Sequence, residues 1–439
     1  MLKRNKFIRT SRVQNGIFVY TTLMFFITIT AVTLLAEILL KIGITQYSNP
    51  YLITIIVSII IVQIFIWIIR NKGHKGLKYA FVHYSIVRSL RKAFIDSKYY
   101  NKRLYLNKEV ARLPKIKIDF DRGLSKGKLY IENIHMDKDL SKSNISISLK
   151  KYVVERSYLS RNEKYYIFEI YDYNINRQLS FQDLDDFKQH TFKVANPYKL
   201  FLDKNTNIPI HSSLFVGQTG SGKTYALYSL ILQMIFKKET YKLYFADPKD
   251  SSLSVIGETI ASQNSASTFD SIIDSLHKFN NLMNQYKPEI KEKLKTKLDA
   301  DYSDFGYPAH IFIFDEFASF QAELQTMEKK KREEVMALIS GVILKGRQLG
   351  FFIWFVMQKS DSHLIPTNIR ENIPVKFVMG NSEHQTYVTT FGTGFNIKEK
   401  DFKLGEGLFI CPSIANQPKL CHFSYLNFDI LKAIEYLSK

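Results

Sequence analysis

The stretch Gly217-Gln-Thr-Gly-Ser-Gly-Lys-Thr224 decides how this sequence is expected to fold. It follows the apolar run Ser213–Val216 and precedes the helical pattern Tyr225–Phe236. The pattern GxxxxGK[ST] between a strand and a helix is that of a phosphate-binding loop, whose glycines let backbone N–H groups surround phosphate oxygens. The positive end of the helix dipole adds to this attraction. The stretch therefore predicts a nucleotide site on an α/β sheet.

Two side chains of this loop have predicted roles of their own. The ammonium group of Lys223 is expected to reach the β- and γ-phosphates and so to act in catalysis, and the Thr224 hydroxyl is expected to bind Mg²⁺. The predicted cofactors are therefore ATP and Mg²⁺. The residues predicted to surround the nucleotide are Gly217, Gln218, Thr219, Gly220, Ser221, Gly222, Lys223 and Thr224.

A second motif is the stretch His310-Ile-Phe-Ile-Phe-Asp-Glu-Phe-Ala-Ser319, an apolar strand that ends in two acids. We expect Asp315 to hold Mg²⁺ and Glu316 to act as the general base on the attacking water. Adjacent acids after a strand also occur as simple helix caps. The phosphate-binding loop about 90 residues upstream favours the catalytic interpretation.

Further polar residues follow predicted strands. Gln358 ends the strand Phe351–Met357, where it could sense the γ-phosphate and place the water, although ordinary strand termination also explains it. Asp247-Pro-Lys249 ends the strand Lys242–Ala246 at the same predicted sheet edge, and a turn or cap accounts for it equally well.

Three basic residues are candidates for a cation supplied across a subunit interface to the transferred phosphoryl group. Arg347 lies at the end of the helical pattern 327–346, and we take it as the candidate catalytic arginine. Arg370 and Lys376 lie beyond the strand that ends at Gln358. Each of the three is also explained by a solvated surface charge or an ion pair.

Charge and cysteine content limit the remaining possibilities. The net charge is +20, but residues 1–104 alone carry 16 Lys and Arg against two acids, a net charge of +14. We assign this excess to membrane topology and anionic lipid rather than to DNA binding. The two cysteines, Cys411 and Cys421, indicate neither a disulfide framework nor a zinc site.

Two apolar runs near the N-terminus predict a membrane anchor. Residues 16–40 contain one charge, Glu37, and residues 51–69 contain none. Each run is long enough to cross about 30 Å of hydrocarbon as a helix. The flanking bases predict a multi-pass protein of the cell membrane with both termini in the cytoplasm. A cleaved signal peptide and buried core helices are the alternatives.

The expected architecture is α/β: a RecA-like P-loop motor with a parallel sheet, preceded by a transmembrane helical hairpin and a small β-rich domain. Strands are predicted at Ile116–Phe120, Leu129–Ile134, Ile145–Leu149 and Tyr165–Tyr171. The predicted domains are a membrane anchor at 1–70, a basic helical stalk at 71–106, the β-rich domain at 107–195 and the motor at 196–439.

Over about residues 196–425 the chain resembles the FtsK/SpoIIIE family of DNA translocases. The resemblance is carried by GQTGSGKT, by DPK at 247–249, by IFIFDEFAS at 311–319, and by KGRQLGFFIWFVMQKSD followed by NIRENIPVKFVMG. Family members are motors that act as hexameric rings, so the resemblance implies a homo-hexamer and single- or double-stranded DNA as partner. Met357–Ser360 departs from the family's usual Thr-Gln-Arg-Pro.

Within this family the chain most resembles the small two-span, TcpA-like coupling proteins of Gram-positive conjugative plasmids and integrative elements. This implies an ATPase that passes DNA from a relaxase to a mating channel. The alternatives are a type VII protein-secretion ATPase, a membrane docking platform with a vestigial nucleotide site, and a VirD4-type coupling protein. The last would need a large helical insertion, for which the stretch 250–308 is short.

Overall fold

The computed structural model describes residues 8–9, 29–30, 33–34, 37–38, 48–105, 108–134, 140, 145–360, 364–395, 397 and 401–438. The chain forms two compact units, residues 1–176 and residues 177–439.

The first unit contains two described α-helices and two antiparallel sheets. The helices are α1 (Ser48–Arg70) and α2 (Leu77–Asp96). The strands are β1 (Ile8–Arg9), β2 (Asn101–Tyr105), β3 (Lys108–Arg112), β4 (Ile116–Phe120), β5 (Lys126–Glu132), β6 (Tyr152–Leu159) and β7 (Tyr165–Asp172). The larger sheet has the order β4-β5-β7-β6, and the smaller one has the order β1-β3-β2.

One face of the four-stranded sheet is covered by helix α2. Ile86, Leu90 and Phe94 recur at helical spacing along α2 and lie in one buried cluster with Leu129 and Phe168 of the sheet. Their burial removes apolar surface from water, which is the main free-energy gain available to so small a unit. The helix predicted as a stalk is therefore part of this core, and it ends at Asp96 before the strand β2.

The segment Ile145–Leu149 is not the predicted strand. Residues Ser146–Leu149 form a short 3₁₀ turn, and Lys150 follows with a φ of 59°. The alternating pattern Ile-Ser-Ile-Ser-Leu fits a strand locally, but Ile145 and Leu149 both bury in the core next to α2. The strand of this region is instead β6, which the sequence interpretation missed.

The predicted membrane hairpin is contradicted. Most of residues 16–40 lie outside the described part of the chain, and residues 51–69 fall in α1, whose side chains are described from residue 57 onward. Within the described residues, no helix has the length and apolar character that crossing a bilayer requires. The expected multi-pass localisation in the cell membrane, with both termini cytoplasmic, is therefore wrong.

The second unit is built on one large mixed sheet with the order β13-β12-β14-β15-β11-β16-β17-β18. Neighbouring strands from β13 to β16 are parallel, and β17 and β18 are antiparallel. The strands of this sheet are β11 (Ser213–Gly217), β12 (Tyr241–Ala246), β13 (Ser265–Ala266), β14 (Ala309–Phe314), β15 (Phe351–Met357), β16 (Val375–Met379), β17 (Glu406–Cys411) and β18 (Ala415–His422).

Two short pairs of strands and nine described helices complete this unit. The strands are β8 (Ser180–Phe181), β9 (Lys199–Asp203), β10 (Thr206–Pro209) and β19 (Tyr425–Leu426); β8 pairs with β19, and β9 with β10. The helices are α3 (Leu184–Lys193), α4 (Lys223–Phe236), α5 (Ser252–Ala261), α6 (Phe269–Leu294), α7 (Phe317–Thr326), α8 (Lys329–Leu349), α9 (Thr367–Glu371), α10 (His384–Phe391) and α11 (Ile430–Ser438).

The central strands are apolar on both faces because helices cover both. Every residue of β14 and of β15 is buried, which suits their unbroken runs AHIFIF and FFIWFVM. Helix α8 packs on α6 and β15, and α11 packs on α4 and α5. The expected α/β class with a largely parallel sheet is confirmed. The carboxyl ends of its parallel strands meet at one edge, where ligands bind in sheets of this kind.

Candidate functional site

The loop between β11 and α4 has a conformation that depends on glycine. Gly220 and Gly222 have φ angles of 82° and 88°, a left-handed region that side chains with a Cβ rarely adopt. A Cβ on Gly222 would also lie 2.8 Å from the backbone nitrogen of Gly405. The loop therefore curls tightly at the end of the strand, as a phosphate cradle requires.

Ser221 contributes a buried hydroxyl to this loop. Its backbone N–H donates to the carbonyl of Gln218 at 3.1 Å. Its Oγ is buried and has no hydrogen-bond partner among the described residues. Buried hydroxyls without a partner are costly, so an orphaned one inside the loop suits a ligand rich in acceptor oxygens. The loop thus fits a polyphosphate.

Lys223 begins helix α4, and its side chain reaches toward the acids at the end of β14. Burial lowers the pKa of its ammonium group, while the nearby carboxylates of Asp315 and Glu316 act in the opposite direction. The charges of this ammonium group and of the two carboxylates therefore partly compensate each other. A polyphosphate in the loop would be a further anionic partner for Lys223.

Asp315 directly follows β14, and its backbone N–H donates to the carbonyl of Ala246 at 2.9 Å. Burial raises the pKa of its carboxyl group to about 6, and the neighbouring carboxylates of Asp247 and Glu316 add to the rise. A bound cation would reverse this shift, so the position fits a metal ligand.

The oxygen donors of Asp315 and Thr224 are of the kind that Mg²⁺ prefers. Across the described part of the chain, no group of three or more His, Cys, Asp or Glu residues could hold a metal ion. Mg²⁺ is commonly bound by one or two protein ligands together with substrate phosphates. The donor set therefore fits an ion that arrives with a nucleotide.

Glu316 is held from two sides. The Nε2 of Gln358 donates to its Oε1 at 3.1 Å, and the Nζ of Lys249 lies 3.1 Å from its Oε2. Burial acts to raise the pKa of Glu316, but the hydrogen bonds from Gln358 and Lys249 outweigh it and keep the pKa below its usual value. The backbone of Glu316 has a φ of 42°, a strained conformation for a non-glycine residue. The carboxylate is thus ionised and fixed in direction.

Asp247 and Lys249 have different roles although they are two residues apart. The carboxylate of Asp247 is fully buried and accepts from the N–H and the hydroxyl of Ser251, at 2.8 and 2.6 Å, so it caps the start of α5. Lys249 points to Glu316 instead. The sequence interpretation assigned no role to Lys249. The signal that could have found it is a charged side chain three residues beyond the carboxyl end of a parallel strand.

The structure does not bring the three candidates for a catalytic cation, Arg347, Arg370 and Lys376, to the phosphate-binding loop of their own chain. Arg347 precedes β15, and its charge acts on His211, which precedes β11. Burial lowers the pKa of His211 to about 4, and the positive charge of Arg347 adds to the decrease. Gln358 lies at the opposite end of β15, about 20 Å away at roughly 3.3 Å per residue. The Nη2 of Arg370 donates a hydrogen bond to the Oγ1 of Thr367 at 3.3 Å, and Lys376 lies within β16.

Comparison with known proteins gives one curated relative. The chain is 25% identical over 179 residues to the FtsK domain-containing protein YdcQ of Bacillus subtilis (strain 168), which covers 41% of this chain and 36% of that protein. The chain thus aligns with just over a third of its relative's length. No protein-family model matches. The similarity to YdcQ confirms the resemblance to FtsK-type proteins.

Solved structures give a further match. The structure of the pCW3 conjugation coupling protein TcpA, in its monomer form with ATPγS, shares 16% sequence identity with the chain. The match covers 74% of this chain and 94% of that one, with a TM-score of 0.46.

Proposed function

We propose that this chain hydrolyses ATP at the edge of the sheet formed by β11, β14 and β15. The observation that carries the proposal is the position of Glu316, whose ionised carboxylate is held by Gln358 and Lys249 next to the glycine-rich loop. A fixed carboxylate beside a polyphosphate cradle is what activation of a water molecule for attack on the γ-phosphate requires.

Each part of the site has one task in this proposal. The loop Gly217–Thr224 binds the phosphates, and the ammonium group of Lys223 compensates their negative charge. Glu316 takes the proton of the attacking water, and Gln358 orients that water and the carboxylate. Thr224 and Asp315 would hold Mg²⁺, which neutralises charge on the leaving phosphate oxygens.

The proposed use of the hydrolysis is to move DNA, as a conjugative coupling ATPase that serves a relaxase and a mating channel. The support is the order of motifs shared with FtsK/SpoIIIE proteins and the similarity to YdcQ. A motor of this kind would work as a homo-hexamer, in which Arg347 of one subunit could serve the site of another. A VirD4-type coupling protein would need a large helical insertion between β12 and β14. The described residues of that stretch form the helices α5 and α6 and no additional α-helix.

The test measures ATPase activity of the full chain without DNA, with single-stranded DNA and with duplex DNA. We expect magnesium-dependent hydrolysis that DNA stimulates. Glu316→Gln should abolish it, whereas Glu323→Gln, an exposed glutamate on α7, serves as the matched control and should hydrolyse normally. An ATPase rate that neither single-stranded nor duplex DNA changes would overturn the DNA assignment and favour protein secretion. A chain that binds ATP without hydrolysing it would favour the docking platform.

A further inference from the structure

The four-stranded sheet β4-β5-β7-β6 has an outer face that points away from helix α2. Side chains alternate along a strand, and Ile118, Leu129 and Phe168 lie in the buried cluster that includes α2. The residues next to them in the sequence therefore lie on the outer face. Charged and aromatic side chains occupy this face in two adjacent rows.

The first row is charged and crosses all four strands. The strand register places Asp119 opposite Lys128, Lys128 opposite Glu169, and Glu169 opposite Arg156. Because neighbouring strands lie about 4.8 Å apart, the row extends over three such steps. We call these four residues the charged row.

Three lysines surround the acid at the β4 end of the charged row. The Nζ atoms of Lys117, Lys72 and Lys75 lie 2.9, 3.2 and 3.7 Å from the carboxylate of Asp119. One carboxylate cannot neutralise three ammonium groups. This end of the row therefore has an excess of positive charge.

The other end of the charged row shows the same imbalance. The Nζ of Lys128 and the Nε of Arg156 lie 3.4 and 2.6 Å from the carboxylate of Glu169. Across the whole row, five cations meet two carboxylates in these contacts. Such an excess of positive charge attracts the phosphate backbone of a nucleic acid.

The second row is aromatic and lies beside the first. Tyr130 and Tyr158 both lie opposite Ile167, and all three side chains are partly exposed. The Nζ of Lys117 lies 5.1 Å from the ring centroid of Tyr130, and the Cζ of Arg156 lies 5.2 Å from that of Tyr158. Each ring is therefore accompanied by a cation.

We infer that this outer face binds single-stranded DNA, with bases stacked on Tyr130 and Tyr158 and phosphates paired with the surrounding cations. Sites for single strands combine aromatic and basic side chains, since every base has a face that can stack and every nucleotide has a phosphate. Four-stranded sheets can bind two or three unpaired bases in this way. The bases of a duplex are stacked on each other, so a duplex cannot make these contacts. The inference rests on the proposed DNA transport only for the choice of DNA over RNA.

Contacts within the face can be exchanged for contacts with DNA. The side chains of Lys117 and Lys128 are 62% and 51% exposed, and ion pairs at such exposure contribute little stability. Their ammonium groups can therefore pair with phosphates at small cost. A base that stacks on Tyr130 likewise gains more free energy than the exposed cation–π contact that it replaces.

The ring of Tyr158 is held in place before any strand binds. Its hydroxyl donates to the Oε1 of Glu169 at 3.2 Å. The Nε and Nη2 of Arg156 donate to the Oε2 and Oε1 of the same carboxylate at 2.6 and 2.9 Å. A ring that is already ordered loses little conformational freedom when a base stacks on it.

The test measures the Kd of the full chain for a fluorescent single-stranded oligonucleotide and for a duplex of the same length, by anisotropy and without ATP. Tyr130→Ala and Tyr158→Ala should each raise the Kd for the single strand about fivefold to a hundredfold, because one stacked base is lost. Their Kd for the duplex should stay within twofold of that of the unchanged protein. Tyr130→Phe keeps the ring and should bind the single strand normally.

Lys128→Met tests the phosphate contacts of the same face. It should weaken binding of the single strand, and it should reduce the slope of log Kd against log salt concentration by about 0.7, since one phosphate contact is lost. Tyr436→Ala and Lys238→Met are the matched controls, because both residues are exposed and belong to the second unit. Both controls should bind the two forms of DNA as the unchanged protein does.

The inference is overturned if Tyr130→Ala and Tyr158→Ala leave the Kd for the single strand unchanged, or if the Kd values for single strand and duplex rise together. ATP hydrolysis measured without DNA should stay normal in every variant of the face, because the proposed ATPase site lies in the second unit. An unchanged protein that hydrolyses no ATP would refute the proposed hydrolysis and not this binding face. The two failures are therefore distinguishable.

Discussion

The Nζ of Lys249 lies 3.1 Å from the Oε2 of Glu316, so the proposed general base is paired with a cation from a different strand end. Lys249 follows β12, which pairs in parallel with β14. The ion pair between Lys249 and Glu316 forms because these two strands are adjacent in the sheet. With Gln358 on its other oxygen, Glu316 has both carboxylate oxygens engaged before any ligand is present. Four predictions follow from the charges at and near this site.

Glu316→Gln should bind ATP and lose hydrolysis. The amide has nearly the shape of the carboxylate but cannot take a proton from water, so we expect the turnover rate to fall by about a hundredfold or more. Nucleotide affinity, measured by equilibrium binding, should change little. If the variant hydrolysed ATP at the normal rate, Glu316 would not be the base.

Lys249→Met should shift the pH profile of ATP hydrolysis. Lys249 helps to keep the pKa of Glu316 below its usual value, so its removal should raise that pKa. Because activity requires the ionised carboxylate, the acidic limb of the profile should move to higher pH. Lys238→Met removes an exposed lysine elsewhere and should leave the profile in place. An unmoved acidic limb in Lys249→Met would show that the ion pair does not tune the base.

Asp315→Asn should stabilise the nucleotide-free protein while abolishing magnesium-dependent hydrolysis. The folded-state pKa of Asp315 is raised from 3.8 to about 6, so its ionisation disfavours the folded state as the pH rises through this interval. At pH 7 the variant should gain about 1–3 kcal/mol in its free energy of unfolding, and near pH 4 it should gain much less. Denaturant titrations at both pH values check this difference. A variant less stable than the unchanged protein at pH 7 would contradict it.

His422 should make stability depend on pH. Its Nε2 lies 3.3 Å from Glu406 and its Nδ1 lies 3.7 Å from Asp203. Burial acts to lower the pKa of His422, but these carboxylates outweigh it and raise the pKa. The resulting stabilisation is present below pH 6.5 and is lost as the pH rises through the raised pKa.

His422→Gln should therefore lower the free energy of unfolding at pH 6 by about 1–3 kcal/mol. The difference from the unchanged protein should narrow toward pH 9, as denaturant titration at the two pH values would show. A difference that stays constant with pH would mean that the histidine acts through packing alone.

Much of the second unit was predictable because its motifs are local. The glycine-rich loop lies between β11 and α4, the acids follow β14, and Gln358 follows β15, close to the bounds that the pattern of apolar residues predicts. The sequence does not contain the strand order, and that order decides which strand ends meet. From the sequence alone, Lys249 could pair with an acid at any strand end. The pairing of β12 with β14 brings it to Glu316.

In the first unit, by contrast, local sequence patterns led to wrong predictions. The alternating residues of Ile145–Leu149 predicted a strand, and the basic segment after residue 70 predicted a stalk. Both segments instead bury their apolar side chains in a common core, because burial against a sheet outweighs the local preference of a short segment. The predicted membrane hairpin failed as well, since the described helices do not provide a span.

By itself the sequence determined the identity and spacing of the groups that we propose to bind phosphate and to activate water, because these depend on residue type and on position along a strand or a turn. Tertiary structure alone decided the partner of Glu316 and the assembly of a cavity from Tyr225 and the segment around Ser424, residues almost 200 positions apart. Such contacts arise only when strands distant in the sequence are placed side by side. Their free energy depends on distance in space and not on separation along the chain.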